Sequence, residues 1–263
     1  MSLVRLTPVP HKKVWGSRHL QPWFPNPEEP VGEFWFEGVK NSPLLIKFLF
    51  TSQKLSVQVH PDDEYARRHH GSRGKTEMWH VLRAEPGAKI AAGFRTAIQP
   101  EELAAAARSG EILDLLNWVE AREGDTFFIP AGTVHAIGEG LALCEIQQNS
   151  DLTYRLYDYG RPRELHLERA AEVSHLGPHA ARPMIEGNTL VSCEYFSTEK
   201  IRIAGTGVHR RGRDRKAWWI VLDGAVEIGG QRGRPGDVFY APEGEGELTL
   251  SGDAVLLRTH APA

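Results

Sequence analysis

The chain has 263 residues, of which 41% are hydrophobic and 25% charged, a balance typical of a globular protein with one large domain or two small ones. The formal net charge is -3 and no basic run stands out, so neither a nucleic acid nor a membrane is expected as a partner. The N-terminus is too poor in apolar residues for a signal peptide, and no stretch of about 18 apolar residues could span a bilayer, so a cytoplasmic protein is expected.

The first 43 residues are rich in proline and tryptophan, which predicts extended segments laid over a sheet. The next run, Leu44–Phe50, is typical of a buried strand interrupted by one lysine, Lys47. From the residues alone, two positions are open for this side chain. It either snorkels to the surface or faces the interior of a barrel.

Alternation marks the strand that follows, over residues 55–60. Ser56, Gln58 and His60 alternate with Val57 and Val59. In a strand, the three polar side chains share one face and the two β-branched side chains share the other. This pattern predicts a strand with a chemical face and a packing face.

A further strand is predicted from Glu77 to Leu82, with Glu77 and Trp79 on one face and His80 on the other. Glu77 can therefore join Gln58 and His60 inside a barrel. His80 is expected to point away from that group.

Two helices are predicted between residues 96 and 122. Pro100, followed by two glutamates, begins the first helix, and Gly110 ends it. The segment from Glu111 to Trp118 is predicted to form the second helix. We expect this hairpin to be inserted between two strands of the barrel.

A metal site is predicted from residues that converge on the predicted strands. A Gly-Asp turn, a hydrophobic strand and a Pro-x-Gly turn lead to His135. Two imidazoles, a carboxylate and an amide oxygen suit zinc in a catalytic role. A single histidine is more often a surface or core residue, but burying all these groups without an ion would be costly. The predicted ligands are Gln58, His60, Glu77 and His135.

An internal repeat links the two halves of the chain. The segment Gly124–Gly132 recurs 112 residues later as Gly236–Gly244, and Trp79–Leu82 recurs 140 residues later as Trp219–Leu222. The difference of 28 residues matches the predicted helical insertion. The repeat therefore predicts two related β-barrels, the first of which carries the insertion.

The second barrel is predicted to bind no metal. Under the alignment of the repeat, His135 corresponds to Glu247 and Glu77 corresponds to Ala217. At least two of the four predicted ligands are therefore missing from the second copy.

Four motifs carry a resemblance to a known family: Gln58–Asp63, Gly74–Met78, Phe128–Gly138 and Ser150–Arg155. They occur in the order typical of the type I mannose-6-phosphate isomerases, zinc-dependent members of the cupin superfamily. The similarity extends from about Lys13 to about Arg161. It implies a mainly β fold of two tandem cupin-like barrels, or jelly rolls. Residues 1–165 would form the catalytic barrel, with the insertion at about 96–122, and residues 166–263 the metal-free barrel.

The resemblance also implies a reaction, the interconversion of mannose 6-phosphate and fructose 6-phosphate through an enediol. One zinc ion per chain would act as Lewis acid and template. Glu145 is the candidate base, with Lys75 as the alternative proton carrier. Arg155 would place fixed positive charge at the developing oxyanion.

Substrate contacts follow from the same resemblance. Lys47 is expected to face the sugar phosphate pocket, together with Ser56, and Trp15 belongs to a Trp-Gly motif near the entrance of the site. Arg161 and Arg163 are expected to be solvated surface charges.

Two other classes of function stay open. One is a non-catalytic metal cupin that binds a sugar or an organic acid, and the other is an iron-dependent cupin dioxygenase. Dioxygenase cupins resemble a His-x-His pattern, whereas Gln58 occupies the first position here. Glutamine is a poorer ligand for redox iron than for zinc.

Overall fold

The computed structural model describes residues 3–183, 185–211, 216–244 and 246–261. Its first elements are β1 (Val4–Arg5), β2 (Thr7–His11), β3 (Glu33–Glu37), β4 (Leu44–Phe50), β5 (Val57–Val59), α1 (Asp63–His70), β6 (Glu77–Ala84), β7 (Lys89–Phe94), α2 (Pro100–Ser109), α3 (Ile112–Leu115), β8 (Leu116–Glu120), β9 (Thr126–Ile129) and β10 (His135–Ile137). They are followed by β11 (Leu141–Gln148), β12 (Tyr154–Tyr157), α4 (Leu167–Val173), β13 (Thr189–Ser192), β14 (Ser197–Arg211), β15 (Ala217–Ile228), β16 (Gln231–Gly233), β17 (Val238–Ala241) and β18 (Gly246–His260).

Two antiparallel sheets form the first barrel. One has the strand order β2-β3-β4-β11-β6-β9 and the other has the order β12-β5-β10-β7-β8. Side chains from both sheets meet between them, among them Trp79 and Leu49 from the first sheet and Ile90 from the second. The predicted alternation along β6 is confirmed, since Met78 packs on the opposite side from Trp79. The barrel interior therefore holds the face that carries Glu77.

Helices cover the outer face of the five-stranded sheet. Val57 and Val59, the predicted packing face of β5, are fully buried against Leu103 of α2 and Ala170 of α4. Because Val57 and Val59 pack between the sheet and the helices, the alternate residues of β5 face the barrel interior. Burial of Val57 and Val59 is thus the physical reason why Gln58 faces the site.

The second barrel is built on a seven-stranded sheet. Its strand order is β1-β17-β15-β18-β14-β13, with β16 paired to β15. One face of β15 contributes Trp219 and Val221 to a core of its own, and the other face contributes Trp218 and Ile220 to the layer against the six-stranded sheet. The predicted fold class, mainly β with two tandem barrels and a helical insertion in the first, is confirmed.

The internal repeat has the same hydrogen bonds in both copies. The Gly124 N–H donates to the carbonyl of Val81 at 2.9 Å, and the Gly236 N–H donates to that of Val221 at 3.0 Å. Both glycines have φ near 90°, a conformation that favours glycine. Ala217 begins β15, at the position equivalent to that of Glu77 in β6.

The prediction of a second helix in the insertion, from Glu111 to Trp118, was wrong for its C-terminal part. Helix α3 ends at Leu115, and the next residues form strand β8, which pairs with β7 through Ala91 and Trp118. Pairing gives the exposed edge of β7 a partner for its backbone groups, and this tertiary gain outweighs local helix propensity.

The predicted domain division between residues 165 and 166 stays a prediction. In two places, a segment from one side of this division packs on the barrel of the other side. Strand β1 pairs with β17 of the second barrel. In the other direction, α4 packs on the first barrel, and the Phe128 N–H donates to the carbonyl of Ala181 at 3.0 Å. Among the described residues, no helix has the length and apolar character needed to cross a membrane.

Candidate metal centre and active site

A polar cavity of about 360 Å³ lies inside the first barrel, between its two sheets. The structure brings most of the predicted site residues to its wall, namely Trp15, Lys47, Ser56, Gln58, Lys75, Glu145 and Arg155. The other three, His60, Glu77 and His135, are buried together next to Gln58 and Lys75. All ten residues proposed from the sequence therefore belong to one site.

Three of the predicted ligands form a tight group, called here the ligand cluster (His60, Glu77, His135). Their potential ligand atoms all lie within 4.8 Å of one another. Oε1 of Glu77 is 3.6 Å from Nε2 of His60 and 3.4 Å from Nε2 of His135. Backbone register explains the approach, because His135 of β10 pairs with Gln58 of β5. Strands far apart in sequence thus deliver the cluster to one point.

Backbone carbonyls orient both imidazoles of the cluster. Nδ1 of His60 donates to the carbonyl of Leu152, and Nδ1 of His135 donates to that of Thr133, each at 2.8 Å. A carbonyl only accepts, so the proton of each neutral ring is on Nδ1 and the lone pair on Nε2. This arrangement is typical of metal-binding histidines, whose second nitrogen is held by an outer partner.

The charge states of the cluster also suit a cation. Burial lowers the pKa of His60 to about 4, with Lys75 adding to the effect, and burial lowers the pKa of His135. Burial alone would raise the pKa of Glu77, but Lys75 and His60 outweigh it and hold that pKa well below its usual value. Two neutral imidazoles and a carboxylate therefore face one another at pH 7.

The surroundings of Oε1 of Glu77 test whether the ligand cluster fits a metal ion. This oxygen is buried and accepts no hydrogen bond from the described residues, while Oε2 pairs with Nζ of Lys75 at 2.8 Å. A buried anionic oxygen without a hydrogen-bond donor is costly, and a cation bound between this oxygen and the two imidazoles would satisfy it. The donor set of two nitrogens and one oxygen fits a divalent ion such as zinc.

Gln58 reaches the cluster through its side-chain amide. Nε2 of Gln58 lies 3.3 Å from Nε2 of His135, and Oε1 accepts from the hydroxyl of Ser56 at 3.1 Å. A half-turn of the amide exchanges its oxygen and nitrogen, and the Ser56 hydroxyl can then accept instead. The role of Gln58 as a fourth ligand stays a prediction.

A buried ion pair forms part of the cavity wall. Nζ of Lys47 lies 3.2 Å from Oε1 of Glu145 and 4.5 Å from the ring centre of Trp35. The other oxygen of Glu145 accepts from Nε1 of Trp79 at 2.9 Å. The lysine side chain is 5% exposed, so it faces the cavity and does not snorkel to the surface.

Several residues of the cavity wall were missed in the sequence. Lys13 pairs with Glu33 at 3.0 Å, and Nε1 of Trp35 donates to the same carboxylate, also at 3.0 Å. The alternation of Glu33 and Trp35 around Phe34 was the available signal, since it places both on one face of β3. The surrounding prolines obscured this short strand.

The expectation of a solvated surface position for Arg161 and Arg163 was wrong. Both pair with Asp158, a carboxylate whose side chain is 2% exposed. Arg163 also lines the cavity, close to Arg155 and His166. These contacts form only after the chain folds back along β12, so local sequence could not indicate them.

The fold and the site together define a class, the β-barrel proteins of the cupin type, here with a cluster of side chains that could hold a metal ion. No protein-family model matches the chain. Mannose-6-phosphate isomerase ManA of Bacillus subtilis is 39% identical over 236 residues, which cover 83% of this chain and 75% of that protein. Mannose-6-phosphate isomerase of Streptococcus mutans is 37% identical over 245 residues, covering 74% and 77%. The chain belongs to the mannose-6-phosphate isomerase family.

Two solved structures share the fold of this chain over nearly its full length. The crystal structure of the mannose 6-phosphate isomerase from Bacillus subtilis matches with a TM-score of 0.88 and 30% identity, covering 99% of this chain and 100% of that one. A zinc-bound mannose 6-phosphate isomerase matches with a TM-score of 0.78 at 18% identity, covering 100% of both chains. The second likeness shows a shared fold.

Proposed function

We propose that this protein is a zinc-dependent isomerase that interconverts mannose 6-phosphate and fructose 6-phosphate. The observation that carries the proposal is the ligand cluster, placed beside a cavity whose wall holds Lys75, Glu145 and Arg155. Relatives at 39% and 37% identity bear the name of this activity. The substrate partner is therefore a sugar phosphate.

Zinc, at one ion per chain, would be held by Gln58, His60, Glu77 and His135. When bound, it would supply Lewis acidity to the oxygens at C1 and C2 of the open-chain sugar. The donor atoms of the cluster are already oriented by Leu152 and by Thr133, so little reorganisation is needed to bind the ion. The predicted cytoplasmic location stays a prediction.

Proton transfer is assigned to Glu145, with Lys75 as a hydrogen-bond donor. Isomerisation removes a proton from C2 of the aldose and delivers a proton to C1, passing through an enediol. Glu145 is the base, because its carboxylate lies on the cavity wall. Burial lowers the pKa of Lys75, but Glu77, Glu145 and Glu33 together outweigh burial, so that pKa is raised. Lys75 therefore keeps its proton at pH 7, so we assign it as a hydrogen-bond donor to the sugar oxygens and not as the base.

Positive charge at the developing oxyanion is assigned to Arg155. This residue pairs with Gln58 across β5 and β12, so it lies at the metal end of the cavity. A fixed guanidinium there stabilises negative charge that appears only during the reaction. Trp15, Lys47 and Ser56 line the same space, and we assign them contacts with the body of the sugar.

The test is a coupled assay that follows fructose 6-phosphate formed from mannose 6-phosphate. The metal-loaded protein is expected to show turnover, and chelation is expected to abolish it. A folded, metal-loaded protein that forms no fructose 6-phosphate would contradict the proposal.

A further inference from the structure

A strap of residues 158–166 follows β12 and folds back along it. The His166 N–H donates to the carbonyl of Arg155 at 2.8 Å, and the Arg155 N–H donates to Nδ1 of His166 at 3.2 Å. Strand β12 is at the edge of its sheet, so these bonds satisfy backbone groups that no neighbouring strand pairs with on that side. The strap therefore continues the cavity wall next to Arg155.

One buried carboxylate in the strap pairs with two guanidinium groups. Asp158 accepts from Nε and Nη2 of Arg163 at 2.6 and 2.7 Å, and from Nη1 of Arg161 at 3.3 Å. Arg163 belongs to the cavity wall. Besides its bond to Asp158, Arg161 donates to the carbonyl of Lys54 at 2.9 Å and to Oε1 of Gln53 at 3.0 Å. Since one carboxylate balances one of the two arginines, a positive charge is left over.

The lysines of the cavity leave no unbalanced positive charge. Each pairs with its own buried glutamate: Lys13 with Glu33 at 3.0 Å, Lys47 with Glu145 at 3.2 Å and Lys75 with Glu77 at 2.8 Å. Arg155, by contrast, has no carboxylate within ion-pair distance among the described residues. Asp151, also in the lining, is exposed, so water screens its charge. Positive charge therefore exceeds its carboxylate partners at Arg155 and at the arginine pair, Arg161 and Arg163, that shares Asp158.

We infer that Arg163 binds the phosphate group of the substrate, with Asp158 as the residue that positions its guanidinium. The identity of the substrate rests on the proposed function. Nη1 of Arg163 has no acceptor among the described residues, and its side chain is 30% exposed, so a ligand in the cavity can reach it. Guanidinium groups bind phosphate oxygens through paired, charge-assisted hydrogen bonds.

Pre-organisation separates Arg163 from Lys47 as the phosphate ligand. Asp158 already fixes the guanidinium at two atoms, which lowers the entropy cost of binding. Moving the ammonium of Lys47 onto a phosphate would leave Glu145 buried and unpaired. We therefore assign Lys47 to its ion pair with Glu145 beside the sugar, and Arg163 to the phosphate group of the substrate.

The test compares Arg163→Ala and Arg163→Lys with Arg161→Ala, a matched control that removes the other partner of Asp158. KM for mannose 6-phosphate and the inhibition constant of inorganic phosphate are measured, with melting temperature and metal content as checks on folding. For Arg163→Ala we expect both constants to rise roughly tenfold to a hundredfold, with a smaller change in kcat. Arg163→Lys should show a smaller rise, and Arg161→Ala should stay within about threefold of wild type.

Unchanged constants in both Arg163 variants, or an equal rise in Arg161→Ala, would overturn the inference. Failure of the proposed function looks different, because the wild-type protein itself would then form no fructose 6-phosphate. In that case calorimetric binding of inorganic phosphate decides the inference alone. Weaker binding in Arg163→Ala than in Arg161→Ala would support it, and equal binding in the two would overturn it.

Discussion

The buried pair of Lys47 and Glu145 makes a prediction that separates stability from activity. The two side chains are 5% and 4% exposed and 3.2 Å apart. Replacing Lys47 with methionine keeps most of the volume of the side chain but leaves a buried carboxylate without its counter-charge. Breaking a buried pair in this way costs about 3 to 5 kcal/mol. For a chain of this size, that cost lowers the melting temperature by about 6 to 20 °C.

The companion variant is Lys47→Met combined with Glu145→Gln. It removes both charges, and the glutamine can still accept from Nε1 of Trp79, so most of the lost stability should return. Activity should not return, because the proposed base is gone. Melting temperatures and kcat of both variants check this. A single variant as stable as wild type, or a double variant as unstable as the single, would refute the reasoning.

Two further predictions concern histidines. His60→Ala and His135→Ala should each lose the bound metal, measured by elemental analysis, while Glu247→Ala in the second barrel should keep it; full occupancy in both histidine variants would contradict the site. Acid stability should depend on His80, whose pKa is lowered to about 3 by burial and then by Lys200. The unfolded state takes up this proton near pH 6.5, so stability falls as pH drops from 6.5 towards 3. His80→Gln should flatten that fall in melting temperature, and an unchanged slope would contradict it.

The ligand cluster could be predicted because its signals are local. Strand alternation fixed the faces of Gln58 and Glu77, and a Pro-x-Gly turn pointed to His135. The repeat then placed the insertion and showed which ligand positions the second barrel lacks. In these segments packing and chemistry follow the same period, so sequence and structure agree.

Other parts of the site depend on contacts between distant segments. The pairing of Asp158 with Arg163 requires the strap to fold back along β12, and the pairing of Lys47 with Glu145 requires the register of β4 and β11. Strand β8 formed where a helix was predicted because β7 offered a partner. Single-residue patterns carry no information about such pairings.

Metal reconstitution tests the central claim most directly. The protein is stripped by chelation, zinc is returned in steps, and mannose 6-phosphate turnover is measured on samples of known metal content. We expect activity to rise in proportion to bound zinc and to level off at about one ion per chain, the capacity of a single tetrahedral site. Full turnover by the stripped protein, or zinc bound at that stoichiometry without any turnover, would contradict the account.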